Sequence, residues 1–159
     1  MASVVAELLE RRLDDGSSSR SLTTDDVLVV CPYNAHVRAV EAALVERGIR
    51  RVRVGTVDRF QGREAPVVVA SLCAPPSQQD DDEDSVASGG RGVAFVLDVR
   101  RLNVALSRAQ CLAVLVAAPD LADGAASSLD RMRELAVLSR LRELAVDTVV
   151  ADESIAGEP

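Results

Sequence analysis

The stretch that decides the fold is a polar loop between two apolar runs: Val54-Gly55-Thr56-Val57-Asp58-Arg59-Phe60-Gln61-Gly62-Arg63-Glu64-Ala65-Pro66, followed by Val67-Val68-Val69-Ala70-Ser71. The loop places an Asp, a Gln, a Gly and an Arg-Glu pair within seven residues. Such a set between two strands is typical of a loop that faces phosphate or nucleic acid. The alternative is a plain surface connection whose charges are only solvated. The rest of the chain has to decide between the two.

The segments on either side of this loop predict a parallel sheet. Val27–Cys31 is a run of five apolar residues, mostly β-branched, which suits a strand covered on both faces. An amphipathic helix follows, with Asn34 predicted to cap its start and Gly48 to end it in a left-handed conformation. Ile49–Val54 predicts a second strand and Val67–Leu72 a third. A strand, a helix and a strand at this spacing form a βαβ unit, so the fold class is α/β with a mainly parallel sheet.

The remaining apolar segments predict one more strand and three helices. Ala2–Asp14 has the spacing of a short amphipathic helix, and Asp15–Ser19 is expected to end it and to start a flexible linker. Asp98–Ala109 is helical in pattern and leads directly into Cys111–Ala118, an all-apolar run expected to be a buried strand. The last predicted helix, 128–146, carries its apolar side on Leu129, Met132, Leu135, Ala136, Leu141 and Leu144.

Charge and lysine content limit what the chain can do by itself. The formal net charge of the 159 residues is −7, but nine acidic residues lie in 80–84 and after position 146, so the remainder carries about +2. All 18 basic residues are Arg and none is Lys. A phosphate-binding P-loop requires a Lys, so the chain cannot form a standard ATP cradle by itself.

The cysteines and the N-terminus indicate a reduced protein without a membrane segment. Cys31, Cys73 and Cys111 lie in or beside apolar runs, with no Cys-x-x-Cys spacing and no histidine at ligand spacing. We therefore expect small buried side chains in a reducing, cytoplasmic setting and no metal site. The N-terminal residues carry Glu7 and Glu10 and lack the apolar core of a signal peptide, and no run is long enough to span a membrane.

Three polar groups could together bind one anionic ligand. In doubly wound sheets, ligands bind in the crevice at the carboxyl ends of the strands. Arg108 would supply positive charge there, Gly62 backbone N–H groups, and Glu64 a carboxylate for a hydroxyl or a water. The alternatives are an ordinary salt bridge for Arg108 and a position on the helix surface for His36, the single histidine of the chain.

Three segments resemble, in order, the last three motifs of superfamily 1 helicases, in the group related to the nonsense-mediated decay RNA helicase and its DNA-acting relatives. Val29–Asn34 resembles motif IV, Val54–Glu64 resembles motif V, and Arg100–Ala109 resembles motif VI. The chain departs from motif IV at His36 and Val37, where relatives often carry Gln and Arg. The resemblance implies the C-terminal RecA-like domain, a three-layer αβα fold that closes on a second RecA-like domain carrying the Walker motifs.

The resemblance also implies a role for individual residues. Arg108 falls on the arginine finger, a fixed positive charge at the γ-phosphate of ATP. The nucleotide, ATP with Mg²⁺ shared with the partner domain, would further contact Gly62, Glu64 and Tyr33. Contacts to single-stranded DNA or RNA would come from four loop residues, namely Thr56, Asp58, Arg59 and Gln61.

We therefore expect 1–146 to form a RecA-like helicase domain with a mobile acidic loop at 75–92, followed by a frayed acidic tail at 147–159. The expected function is the C-terminal half of an ATP-dependent superfamily 1 helicase, inactive as an isolated chain. A non-catalytic nucleic-acid-binding or adaptor module and an inert truncated fragment are the alternatives.

Overall fold

A computed structural model describes residues 1–14, 16, 18–60, 62–73, 96–118, 121 and 129–146. The strands are β1 (Arg12–Asp14), β2 (Ser19–Ser21), β3 (Val27–Cys31), β4 (Arg53–Thr56), β5 (Ala65–Ser71) and β6 (Ala109–Val116). The helices are α1 (Ala2–Leu9), α2 (Asn34–Glu46), α3 (Val99–Leu106) and α4 (Leu129–Leu144), and two 3₁₀ turns span Thr24–Asp26 and Val57–Phe60. The predictions made for 75–92 and 147–159 lie outside the described residues.

A four-stranded parallel sheet forms the centre of the molecule, in the order β4-β3-β5-β6. Val29 of β3 lies beside Val54 of β4 on one side and Val69 of β5 on the other. All five residues of β3 are buried, as the uninterrupted apolar run predicts for a strand covered on both faces. Helices flank the sheet, so the predicted α/β, RecA-like fold is confirmed.

The two faces of the sheet carry separate cores because side chains alternate along each strand. The odd-numbered residues of β3 pack with α1 and α2, through Val5, Val37 and Val40 among others. Its even-numbered residues, Leu28 and Val30, pack with residues of β5 and with Phe60 and Ala105 on the opposite face. The helix α3 and the turn Val57–Phe60 therefore cover one side of the sheet, and α1 and α2 cover the other.

The end of α2 follows the prediction, and its start does not. Gly48 has φ +72° and donates its N–H to the Val45 carbonyl at 2.9 Å, while Ile49 N–H reaches the Leu44 carbonyl at 2.9 Å. This is a Schellman motif, so the predicted left-handed glycine is confirmed. The predicted cap at Asn34 is wrong by one residue: Asn34 is the first helical residue, and the preceding Tyr33 makes no side-chain cap bond.

Two predictions for segments next to turns are also wrong. The second strand begins at Arg53 instead of Ile49, because Arg51 has φ +70° and turns the chain before it can pair with β3. The first helix ends at Leu9, and Arg12–Asp14 pairs antiparallel with Ser19–Ser21, where a linker was expected. Side-chain bonds from Arg12 to the Oγ of Ser19 at 3.0 Å and to its carbonyl at 2.6 Å hold this small hairpin.

The hairpin is fastened to the sheet by a nearly buried carboxylate. Arg20 donates from both terminal nitrogens to the two oxygens of Asp26, each at 2.6 Å. Thr23 adds its N–H at 2.8 Å and its hydroxyl at 2.7 Å. The side-chain bond from Arg20 is the largest of several effects that hold the pKa of Asp26 well below its ordinary value. This cluster fixes the entry into β3.

The C-terminal third is less buried than its sequence predicts. Within the described part of the chain, β6 lies at the end of the sheet and is partly exposed, and Cys111 is exposed instead of buried. Cys31 is buried and Cys73 half-buried, as expected for small apolar-like side chains. The helix α4 packs through Leu138, Val137 and Leu141 against a cluster around Leu72. The predicted apolar side is therefore wrong for the exposed residues Leu129, Met132, Ala136 and Leu144. No described helix is long and apolar enough to cross a membrane.

Candidate functional site

The site residues predicted from sequence fall at two opposite ends of the sheet. The amino end carries Glu64 and Arg108, which flank the starts of β5 and β6. The carboxyl end carries Tyr33, after β3, and Thr56, the last residue of β4. The seven residues of β5 separate these ends by about 20 Å, at roughly 3.3 Å per residue.

Arg108 and Glu64 are brought together by backbone pairing. The N–H of Ala65, which follows Glu64, donates to the carbonyl of Arg108 at 3.0 Å. One residue further along each chain, Ala65 and Ala109 are register partners in the parallel pair of β5 and β6. Gln110 donates its Nε2 to Glu64 Oε2 at 3.3 Å, a contact between residues 46 apart in sequence. The predicted proximity of Arg108 and Glu64 is therefore present.

The position of Arg108 follows from the short, well-defined helix before it. Asp98 caps the start of α3 by accepting N–H bonds from Arg100 at 2.8 Å and Arg101 at 3.1 Å. The helix ends at Leu106, and β6 begins at Ala109, so only Ser107 and Arg108 connect the two. The connection has little freedom, and the Arg108 backbone is fixed by the same bonds that start the strand.

The side chain of Arg108 is available to an anion. It is half-buried, and its Nε is buried without a hydrogen-bond partner among the described residues. It also forms no ion pair within that part of the chain, so the alternative of an ordinary salt bridge is not observed there. A guanidinium remains protonated at any physiological pH and has a planar set of donors that suits phosphate oxygens.

The loop reaches the amino end because it must return along the sheet. β4 and β5 are parallel, and β3 lies between them, so a connection from the carboxyl end of β4 has to come back to the amino end of β5. Residues 57–64 make this return through the turn Val57–Phe60 and a left-handed Gly62 with φ +75°. The expected position of the whole loop at the carboxyl end is therefore wrong for Gly62 and Glu64.

Phe60 fixes the path of the returning loop. Its ring is 4% exposed and packs in the core with Leu28, Val68 and Ala105. It also lies directly over Gly55, where a Cβ would come within 2.9 Å of two ring carbons. Glycine is needed at this position because the ring occupies the space that any side chain would fill.

The outer side of the loop carries polar groups that face solvent. Asp58 forms an ion pair with Arg101 of α3 at 3.8 Å and keeps 77% of its side-chain surface exposed. Arg59 is exposed and donates to the carbonyl of Val54 at 3.4 Å. Thr56 is half-buried and lies beside Cys31 in the sheet. Gln61 lies outside the described residues.

The carboxyl end holds a second polar contact that sequence reasoning missed. His36 Nε2 lies 3.3 Å from the Oγ of Ser71, the buried last residue of β5. Burial is the main reason why the pKa of His36 is lowered, so His36 is not the plain surface residue offered as an alternative. The available signal was a lone serine in the apolar run Val67–Leu72.

A small cleft opens beside this contact, between the sheet and α3. It is lined by Pro32, Ser71, Arg101 and Leu102 among others and has a volume of about 30 Å³, which holds one or two water molecules. A nucleotide cannot fit inside it. No group of three His, Cys, Asp or Glu side chains in the described ranges could hold a metal ion.

Tyr33 is not brought together with the other predicted nucleotide contacts. It lies at the carboxyl end, where its ring packs partly against the cluster around Leu72 and Leu97, whereas Glu64 and Arg108 lie at the amino end. The single crevice expected from the sequence is therefore two separate surfaces. The physical reason is again the returning loop, which moves one half of the predicted set to the far end of β5.

Comparisons with known proteins agree on one family. A family model described as an AAA domain matches residues 1–120. The DNA polymerase alpha-associated DNA helicase A of Schizosaccharomyces pombe is 37% identical over 93 residues, which cover 58% of this chain and 12% of that protein. The DNA replication ATP-dependent helicase/nuclease DNA2 of Mus musculus is 32% identical over 113 residues, 71% of this chain and 9% of that protein. An ATP-dependent helicase of Methanocaldococcus jannaschii is 34% identical over 88 residues, 55% of this chain and 11% of that protein. The chain thus spans about a tenth of the length of these relatives.

Proposed function

The chain belongs to the AAA domain family and is a superfamily 1 helicase domain, and we propose that it supplies one half of an ATPase site and part of a single-strand track. The half-site would lie at the amino end of the sheet, with Arg108, Glu64 and Gly62. The other half would come from a RecA-like domain that carries the Walker motifs, in cis or in trans.

The observation that carries this proposal is the unpartnered Arg108 beside Glu64. Two groups 44 residues apart are held together by strand pairing, and the cation has no partner in the described structure. The charge of the half-buried guanidinium is unpaired among the described residues, and a phosphate oxygen can pair with it. The residues therefore fit a nucleotide phosphate, and the chemistry of a carboxylate next to it fits a ribose hydroxyl.

In this arrangement ATP with Mg²⁺ supplies the phosphoryl group that is transferred to water. Arg108 would stabilise the negative charge that develops on the phosphate oxygens. Glu64, oriented by Gln110, would accept a hydrogen bond from the nucleotide, and the exposed turn at Gly62 would allow close approach. Because the chain contains no Lys, the lysine that binds the β- and γ-phosphates has to come from the partner domain.

The single-strand contacts would come from the solvent-facing side of the same loop. Thr56, Asp58 and Arg59 are accessible there, and Gln61 belongs to the same set by sequence. The buried Phe60 lies in the loop between this surface and Glu64. The ion pair of Asp58 with Arg101 connects the surface to α3, which ends two residues before Arg108. A shift of the loop when single-stranded nucleic acid binds would therefore be transmitted to both nucleotide contacts, Glu64 and Arg108.

The position of Tyr33 favours a contact with single-stranded nucleic acid over one with the nucleotide. Tyr33 follows Cys31, and Cys31 pairs with Thr56, so both residues lie at the carboxyl end of neighbouring strands. A half-buried aromatic ring at such a position can stack on a base. We propose this in place of the nucleotide contact that the resemblance implied.

ATP turnover tests the proposal. The purified chain alone is expected to show no hydrolysis. With the Walker-bearing domain supplied in trans, ATP turnover stimulated by single-stranded nucleic acid is expected. Arg108→Ala should lower this turnover about 10³-fold or more, while binding of the single-stranded nucleic acid persists.

Arg140→Ala on α4 is the matched control, because it removes an exposed arginine whose ion pair with Glu143 lies at the surface. Turnover by the chain alone, or full turnover with Arg108→Ala, would show that the half-site is assigned wrongly.

A further inference from the structure

Four arginines are concentrated before and at the start of β4, which is separated from β6 and Arg108 by two strands of the sheet. Arg47, Arg50, Arg51 and Arg53 fall within seven residues, between the end of α2 and the start of β4. We call these four residues the arginine patch. Together with Glu46 the segment carries a formal charge of +3, whereas the whole chain carries −7.

The charges of the arginine patch are not neutralised by the protein. The side chains of Arg47, Arg50 and Arg51 are exposed and form no hydrogen bond or ion pair with a described residue. Arg53 is half-buried and donates to the carbonyl of Asp25 at 2.8 Å, which leaves its charge unpaired, and its Nε is buried without a partner. Like charges at this density repel one another, so the patch favours an anionic partner.

The backbone holds the patch in an unusual shape. The Schellman motif at Gly48 ends α2, and Arg51 then adopts φ +70°. A non-glycine residue in the left-handed region costs about 1 kcal/mol or more, and Asn or Gly would reduce this cost. Residues in this conformation are concentrated at functional sites, where the surrounding structure holds them. The turn lies directly before Arg53, the first residue of β4, which is the outermost described strand on this side of the sheet.

We propose that the arginine patch binds the phosphate backbone of nucleic acid as a second contact surface, separate from the loop at Thr56. Thr56 and Arg53 are the two ends of β4, about 10 Å apart at roughly 3.3 Å per residue. Successive phosphates of one duplex strand are spaced by about 3.4 Å along the axis, so a bound backbone can extend from one surface to the other. The patch has no aromatic residue that could stack on a base, and a guanidinium can pair with phosphate oxygens through two parallel N–H bonds, so the proposed contact is to the phosphate backbone.

Salt-dependent binding tests this proposal. Fluorescence anisotropy with a labelled 20-nucleotide single strand and the matching duplex compares the intact chain with the triple variant Arg47→Gln, Arg50→Gln and Arg51→Gln. We expect the variant to lose at least about tenfold in affinity at low salt. The slope of log K against log [salt] should fall by about 2–3, since each lost phosphate contact removes about 0.7–0.9 from it.

The control variant removes the same charge at exposed positions elsewhere, by Arg11→Gln after α1 and by Arg140→Gln and Arg142→Gln on α4. It should leave the slope unchanged. An unchanged slope in the patch variant, or an equal loss in both variants, would overturn the proposal. The proposal would also be overturned if the patch variant lost binding to a labelled poly-glutamate peptide while its DNA binding stayed intact. The patch would then bind an acidic protein segment.

The proposal is independent of the proposed ATPase half-site. The Arg108→Ala turnover experiment does not involve the patch, and the arms with single strand and duplex do not require ATP. A failure of one proposal is therefore distinguishable from a failure of the other.

Discussion

Gly55→Ala should destabilise the domain, because the ring of Phe60 occupies the space of the added methyl group. A Cβ at position 55 would lie 2.9 Å from two carbons of that ring and 2.8 Å from the Cδ of Arg59. Arg59 is exposed and can move away, but the ring is 4% exposed and enclosed by core residues. To reach an ordinary contact of about 3.4 Å or more, the ring has to shift by about half an ångström into a packed interior.

Overpacking of this kind costs about 1–3 kcal/mol. Replacing glycine by alanine in a strand gains back less than about 1 kcal/mol, so a net loss of about 1–2 kcal/mol is expected. For a chain of this length, each kcal/mol lowers Tm by about 2–4 °C. Urea denaturation followed by far-ultraviolet circular dichroism measures the change in the free energy of unfolding.

A double-mutant cycle with Phe60→Leu identifies the cause. Leucine is smaller, so Gly55→Ala should cost less by about 1 kcal/mol in the Phe60→Leu background than in the intact chain. Equal costs in both backgrounds would show that the ring is not what excludes a side chain at position 55. A stabilising effect of Gly55→Ala would refute the packing argument altogether.

Three further predictions concern single residues. The pKa of Asp26 is depressed in the folded state, so its stabilising effect is complete above about pH 4 and declines as the pH falls below that value. Asp26→Asn should therefore lower the free energy of unfolding at pH 7 by about 2–3 kcal/mol and weaken the loss of stability at acid pH, measured by urea denaturation at several pH values. An unchanged acid dependence would assign the acid sensitivity to another group. Gly48→Ala forces alanine to φ +72° and should cost about 1 kcal/mol by urea denaturation, and no loss would contradict the left-handed turn. With a thiol reagent at pH 8, Cys111 should react at once and Cys31 only on unfolding, since burial raises the pKa of Cys31 to about 12; rapid reaction of Cys31 in the folded chain would disprove its burial.

The elements that the sequence predicted well are those whose signal is local. The buried strand Val27–Cys31 is an unbroken apolar run, and Gly48 is a residue type that a left-handed turn selects. The helix before Arg108 could be placed because Asp98 and the apolar spacing after it act over a few residues. In each case the physical cause lies within about ten residues of the element it determines.

The predictions that were wrong depend on what a segment meets in space. Arg12–Asp14 has helical spacing but pairs with Ser19–Ser21 instead, because strand pairing and two side-chain bonds from Arg12 outweigh a weak helical preference. Cys111 lies in an apolar run but is exposed, because β6 is the last strand of the described sheet. Apolar composition indicates that a strand exists, and its place in the sheet decides how much of it is covered.

The sequence by itself determined the α/β class, the three motifs with their order, and the absence of a lysine that a complete ATP site requires. Only the tertiary structure decided that Glu64 and Arg108 meet at the amino end of the sheet and that Tyr33 lies about 20 Å away, at the carboxyl end. The physical reason is the order β4-β3-β5-β6, which is set by hydrogen bonds between residues distant in sequence. That order forces the polar loop to return across the sheet, and the return divides one predicted site into two surfaces.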